Sequence, residues 1–258
     1  MPNQDLLRST EGNLGIITLN RPDRRNPLSL SLMLDLIRAL DEFGADKSIR
    51  AVILASTGKA FSSGHDLSEM VGRTVTDYRR IFDVCSELMT RIQSIAQPVI
   101  AQVQGVATAA GCQLVASCDL AVASEAASFA TPGVDIGLFC STPMVALSRN
   151  VPRKQAMEML LTGEPIPATT ARDIGLVNHV VAAGTERGAA IALAQKVALK
   201  SAYTVKLGKT AFYRQAEMSL ADAYRYAAEV MTENMMARDA EEGISAFIEK
   251  REPKWQDR

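Results

Sequence analysis

Two short stretches hold residues that could do chemistry. "SSGHD", residues 62–66, places Ser63, His65 and Asp66 within four positions. Nucleophile, base and acid so close together suggest a hydrolytic triad, but adjacent side chains on an extended loop diverge and do not converge on one atom. "AAGCQLVASCD", residues 109–119, is a small-residue turn running into a short apolar helix, with Gln113 on its first turn. That is a good position for a catalytic acid or base, but an amide can only orient a water and cannot take its proton. Both stretches follow a strand-like apolar run, and in both the backbone is the chemically interesting part. N–H groups at a helix N-terminus are unpaired and point outward. Two such groups from neighbouring turns could hold one oxygen anion between them.

Other familiar constellations are missing. There is no GxGxxG, no GxxxxGK[ST] and no GxSxG; "TGKAFSSG" has a GK pair with nothing glycine-rich before it. Cys85, Cys112, Cys118 and Cys140 show no CxxC spacing, and His65 and His179 are the only histidines, so no metal site is expected.

The elements that must position the two stretches follow from periodicity. "LGIITLN", "RAVILAS", "PVIAQV", "DLAVAS", "SFATP" and "GLVNHVV" read as strands, mostly too continuously apolar for a half-exposed sheet. Residues 26–44 read as a helix, with Leu30, Met33, Leu34 and Ile37 at helical spacing, Ser29 as N-cap and Gly44 as terminator. Residues 76–95 read as a long helix whose stripe runs Tyr78, Ile81, Phe82, Cys85, Leu88, Met89, Ile92, Ile95, each expected in the core. "TGKAFSSGHDL" reads as a loop, Leu67–Val71 as the start of an apolar helix, and 142–150 and 153–163 as helices; from about Ala189 the pattern is helical to the end. Alternating strands and helices predict an α/β fold with parallel sheets. At 258 residues with a net charge of −1, nothing suggests nucleic acid or a membrane as partner. The opening "MPNQDLLRSTEG" lacks the apolar stretch of a signal peptide and carries early acids, and the thiols suit a reducing compartment, so a cytoplasmic protein is expected.

Taken together and in order, "NRPDRRNPLS", "GKAFSSGHDL", "QPVIAQVQGVATAAGCQLVASCDLAVAS", "FATPGVDIGL" and "LLTGEPIPATTARDIGLVNHVV" resemble the enoyl-CoA hydratase/isomerase (crotonase) superfamily over roughly the whole chain. A finer pattern, "GLFCSTP" with "VPRK", resembles one subgroup described in animals. The resemblance implies a crotonase-like spiral of stacked ββα units over residues 1–195, with a helical trimerisation or lid region over 196–258. It further implies homotrimers or dimers of trimers, a role in fatty acid and acyl-CoA metabolism, and a coenzyme A thioester as ligand rather than a permanent cofactor. By position, the family's oxyanion hole falls on the backbone N–H groups of His65 and Ala110. Ser63, Gly64, Asp66, Leu67 and Ser68 would run beside the coenzyme A head, and Ala109 and Gly111 beside the thioester.

Hydratases of that family use two glutamates, and here those positions hold Gln113 and Gly133. Each general acid or base contributes roughly 10²- to 10⁴-fold, so classical hydration should be weak or absent. Asp135 is the leading replacement, since strand alternation would turn it to the same face as Gly133; a cap or a buried salt bridge is its structural alternative. Cys140 and Ser141 stand where relatives place a carboxylate for other reactions, and neither can be one. An acyl-CoA binder with little hydratase activity, an enzyme with replacement residues, and a scaffold without ligand remain open. The small residues Ala109, Ala110 and Gly111 speak against the last.

Overall fold

The structure, a computed structural model, describes residues 5–258; the first four residues of the N-terminal stretch lie outside the described residues. Strands β1 (Leu6–Glu11) and β2 (Leu14–Leu19) form an antiparallel hairpin, and helix α1 (Leu30–Ala45) follows. The pattern strand, strand, helix then occurs three times. The first unit is β3 (Ala51–Ser56), β4 (Ala60–Ser62) and α2 (Val75–Ser94). The second is β5 (Val99–Val103), β6 (Val106–Thr108) and α3 (Ala110–Ser117). The third is β7 (Leu120–Ser124), β8 (Ser128–Ala130) and α4 (Pro143–Asn150). After these come α5 (Arg153–Thr162), β9 (Ile166–Pro167), α6 (Ala168–Asp173), β10 (His179–Val181) and α7 (Glu186–Ala198). Helices α8 (Ala202–Gln215), α9 (Leu220–Met235) and α10 (Arg238–Glu249) complete the chain.

Each unit gives its first strand to one sheet and its second to another. The larger sheet has the order β1-β2-β3-β5-β7-β10 and is parallel from β2 onward. The smaller has the order β4-β6-β8-β9. Alternation along β3 sends Val52 and Leu54 into the main core beneath α1, α2 and α3, and Ala51, Ile53 and Ala55 into a second core on the opposite face. Both faces are covered, which is why the strand sequences are continuously apolar. Helix α7 closes the second face with Ala190, Ala194 and Ala198, whose small side chains let it lie close to Ile16, Ile53 and Ile100.

Several sequence expectations are corrected. "TGKAFSSGHDL" is not all loop, because Ala60–Ser62 pairs with β6; three residues are too short for a period-two signal. Leu67–Val71 is not a helix. It is a single 3₁₀ turn, Leu67–Glu69, with Leu67 and Val71 exposed. Helix α1 starts after the predicted Ser29 cap, which accepts from the Leu32 N–H, but it runs past Gly44 to Ala45 and buries Leu32, Leu36 and Leu40 beside Met33 and Ile37. The "GLVNHVV" strand contracts to His179–Val181, and the "SFATP" strand ends at Ala130.

The C-terminal helices are held to the core by one buried polar cluster. Lys209 of α8 inserts its ammonium between the carbonyls of Ile92 and Gln97, at 2.8 and 2.9 Å, and the Asp119 carboxylate at 2.7 Å. Asp119 also accepts from the Tyr213 hydroxyl and the Val99 N–H. Burial pushes the Lys209 pKa down, against the pull of Asp119, and pushes the Tyr213 phenol up. An Asp119→Ala variant strands a buried ammonium, so urea denaturation should show a loss of about 3–5 kcal/mol. A loss below about 1 kcal/mol, the size of a surface pair, would refute this anchoring role.

Candidate active site

The two stretches singled out in the sequence meet. Gly64 takes φ +88°, and a Cβ there would lie 2.9 Å from Ala109 Cβ and 3.2 Å from Ala110 N. On the other side, a Cβ on Gly111 would overlap the Ser62 carbonyl and sit 2.8 Å from Ser62 Cβ. The glycines at 64 and 111 therefore serve the contact between the two turns. Pairing of β4 with β6 brings the turns together, and the Ala109 N–H, donated to the Ala130 carbonyl at 2.9 Å, ties the second turn to β8.

Among the described residues this arrangement leaves two backbone donors without a partner. Leu28 pairs in parallel with His65: the Leu28 N–H donates to the Gly64 carbonyl at 2.7 Å, and the Asp66 N–H donates to the Leu28 carbonyl at 3.3 Å. Parallel pairing uses the groups on either side of His65, so its own N–H faces the other edge, toward the 108–110 turn. Ala110 is the first residue of α3, where the N–H has no intrahelical partner. The residue before it, Ala109, has φ +50° and ψ −119°, an unfavourable conformation for a residue with a side chain. That local strain sits beside the donor.

Both turns open on a cavity of about 690 Å³, mostly apolar. Ser63, His65, Leu67, Ala109 and Ala110 lie on its wall; Gly64, Asp66, Ser68 and Gly111 do not. Asp66 is buried. Its carboxylate accepts from the Ser68 hydroxyl at 2.6 Å and faces Arg24 at 3.2 Å and Arg21 at 3.6 Å. Burial opposes its ionisation, but Ser68 and the two guanidiniums outweigh it and hold the carboxyl below its usual range. Asp66 thus fixes the loop and ties down two arginines. The His65 ring packs edge-on against Phe82, centroids 5.7 Å apart, and both ring nitrogens are buried without a hydrogen bond of normal geometry. Burial pushes its pKa down, opposed weakly by the Leu28 carbonyl and Glu69.

Gln113 and Gly133, the positions that the resemblance matches to glutamates, lie in different surroundings. Gln113 is buried at 4% exposure but is not on this cavity; it lines a neighbouring one of about 250 Å³, and its Oε1 accepts from the Cys85 thiol at 3.7 Å. Gly133 does line the main cavity, but a Cβ there would overlap the Leu138 carbonyl and sit 2.9 Å from Cys140 Sγ. The loop after Gly133 therefore fills the space a side chain would need. Asp135 does not share a face with Gly133, because Pro132–Ile136 is a 3₁₀ turn, where two residues are about 240° apart rather than in strand register. Asp135 is exposed at the cavity wall, caps no helix, and joins no ion pair among the described residues. A Cβ on Gly163 would lie 3.1 Å from its Oδ2, so the carboxylate rests against the end of α5. Cys140 is buried on the cavity wall, and burial pushes its thiol up against the opposing Gly133 N–H. His179 is exposed on β10, away from the site.

The sequence reading missed the wall opposite the turns. Phe82, assigned to the core, is half-buried on the cavity, and Leu138 and Phe139 are exposed there. Phe82 sits one helical step from fully buried Ile81 and Cys85, a difference periodicity does not resolve.

The profile of the enoyl-CoA hydratase/isomerase family matches residues 9–258. The chain belongs to the enoyl-CoA hydratase/isomerase family. Its closely similar solved structures include enoyl-CoA hydratase of Mycobacterium smegmatis, at TM-score 0.94 and 49% identity over 97% of this chain and 98% of that one. Human enoyl-CoA hydratase domain-containing protein 3 matches at TM-score 0.94 and 45% identity, over 98% and 100% of the two chains. The crotonase fold and the resemblance to that animal subgroup are both borne out. The Xenopus laevis member of the subgroup is 50% identical over 93% of this chain and 82% of its own length, and its name places it in mitochondria. Four further animal members, 47–48% identical, carry the same word. These relatives overturn the cytoplasmic expectation, which rested on composition and the missing leader pattern.

His65 supplies a test of the packing at the site. Because its folded pKa is below the unfolded value, the unfolded state binds the proton more readily, and stability falls as pH drops below about 6.5. Thermal melts between about pH 7.5 and 5 should therefore show a steeper acid loss for wild type than for His65→Phe. Equal slopes would mean the ring is protonated in place.

Proposed function

We propose that the chain binds an acyl-CoA thioester, with the thioester carbonyl accepting from the His65 and Ala110 N–H groups, and that it hydrates enoyl thioesters weakly or not at all. The observation that carries this reading is the convergence, among the described residues, of two unpartnered backbone donors on one apolar cavity whose one carboxylate, Asp135, lies against the end of α5. Fixed donors stabilise negative charge as it develops on a thioester oxygen, which supports enolate-forming chemistry in general. Hydration also needs a base for the water and an acid for the α-carbon. Gln113 faces a different cavity, the loop 138–140 fills the space beside Gly133, and the Asp135 carboxylate lies against α5. Asp135 would have to swing away from Gly163 to serve as a replacement base. Exposed Leu220, Tyr224, Met231, Met235 and Phe247 on the C-terminal helices favour assembly into homotrimers or dimers of trimers through residues 196–258.

Steady-state hydration of crotonyl-CoA tests the catalytic half of the proposal. Wild type should turn over at least roughly 10⁴-fold more slowly than a family member with both glutamates, while butyryl-CoA still binds in calorimetry. A Gln113→Glu, Gly133→Glu double variant should not recover hydration, because the second side chain has no room. Rapid wild-type turnover would show that another group acts as base, and absence of binding would remove the acyl-CoA reading altogether.

A further inference from the structure

Ala109 has φ +50° and ψ −119°, the dihedrals of the first central position of a type II′ turn, which glycine fills by preference. Its backbone is held there from both ends: the N–H donates to the Ala130 carbonyl at 2.9 Å, and the carbonyl accepts from the Gln113 N–H at 3.0 Å. A glycine would give the turn the same two bonds, and the Ala110 N–H the same direction, without the crowding of a Cβ. The strain therefore comes from a methyl group that the donors do not need. That methyl stands between them. Ala109 is half-buried on the cavity wall, precedes Ala110, and lies against Gly64, where an added Cβ would come within 2.9 Å of it. Gly64 in turn precedes His65. An oxygen held by both N–H groups puts its carbonyl carbon, and the atoms bonded to that carbon, within van der Waals reach of the methyl. Pairing of Thr108 with Ala130 sets the next wall, Pro132 and Gly133, beside the turn. Gly133 is backed by the Leu138 carbonyl and the Cys140 thiol, so that wall cannot give way.

We propose that the Ala109 methyl is a size filter at the α-carbon, and that the chain takes acyl-CoA thioesters whose α-carbon carries no branch. This rests on the acyl-CoA reading above and adds the substrate class. With the coenzyme A head along residues 63–68, the acyl arm leaves the donors on the side of the 108–110 turn and passes between Ala109 and the Pro132–Gly133 wall. An unbranched α-carbon fits that passage. An α-methyl group meets the Ala109 methyl on one side and a wall without room on the other. One extra carbon in a confined apolar site is worth a discrimination of about 10- to 200-fold.

Isothermal calorimetry with two isomeric pairs tests this on wild type and Ala109→Gly. Butyryl-CoA and isobutyryl-CoA differ by a branch at the α-carbon; valeryl-CoA and isovaleryl-CoA differ by a branch at the β-carbon. Wild type should bind butyryl-CoA at least about tenfold more tightly than isobutyryl-CoA. In Ala109→Gly that ratio should fall to about twofold or less, through tighter binding of isobutyryl-CoA, while the ratio of the valeryl pair stays within about twofold of its wild-type value. The same variant should melt about 2–4 °C higher, because glycine adopts the turn conformation freely. A lower melting temperature overturns the strain on which the inference stands. Equal binding of the butyryl pair by wild type overturns the inference alone, as does a ratio that Ala109→Gly leaves in place. An equal change in the valeryl pair also overturns it, since that would mark a general loosening of the wall. Failure of all four ligands to bind overturns the acyl-CoA reading with it.

Discussion

The site depends on one close backbone approach, between residues 62–65 and 108–111. Two side-chain-free positions make it possible: Gly64, where a Cβ would crowd Ala109 and Ala110, and Gly111, where one would overlap the Ser62 carbonyl. Everything else about the site follows from holding that contact. Pairing of β4 with β6 sets the height of the turns, Leu28 fixes the peptides on either side of His65, and β8 accepts from Ala109. The positive φ at Ala109 is the local cost of ending a strand and starting a helix so abruptly that the Ala110 N–H faces the cavity. Backbone donors placed in this way need no side-chain entropy to be fixed and no reorganisation when charge develops.

The same packing would hold the two backbone donors in place whatever acid–base groups stand beside them. Backbone donors survive substitution of neighbouring side chains, whereas a general base is lost with one residue. At Gly133 the Leu138 carbonyl and the Cys140 thiol fill the space that a side chain would require. Gln113 has its Oε1 accepting from the Cys85 thiol and lines the smaller, neighbouring cavity. The C-terminal helices are joined to this core by the Lys209–Asp119–Tyr213 cluster, and Asp119 itself lies just past α3.

Much of the fold was legible. Long amphipathic helices such as α2 and doubly buried strands such as β3 and β5 carry strong periodic or continuous signals, and Ser29 and Gly163 mark their helix ends as expected. Of the second strands, β8 was legible in "SFATP" but β4 and β6 were not, since they have three residues each and take their form from partners distant in sequence. His65 and Ala110 could be named from motif order, but which residues share a cavity could not. Gln113 sits three residues from Ala110 and still faces elsewhere, and the Asp135 argument failed because a 3₁₀ turn replaced the assumed strand. Those outcomes depend on packing around a turn, to which local pattern is blind.

The most direct test of the central claim is spectroscopic. A conjugated thioester such as cinnamoyl-CoA absorbs at longer wavelength when its carbonyl is polarised by hydrogen-bond donors. If the His65 and Ala110 N–H groups form a working oxyanion hole, the spectrum of bound cinnamoyl-CoA shifts to the red even though no hydration follows. Saturating binding with an unshifted spectrum would contradict it, since the ligand would then occupy the cavity without its carbonyl meeting the two donors.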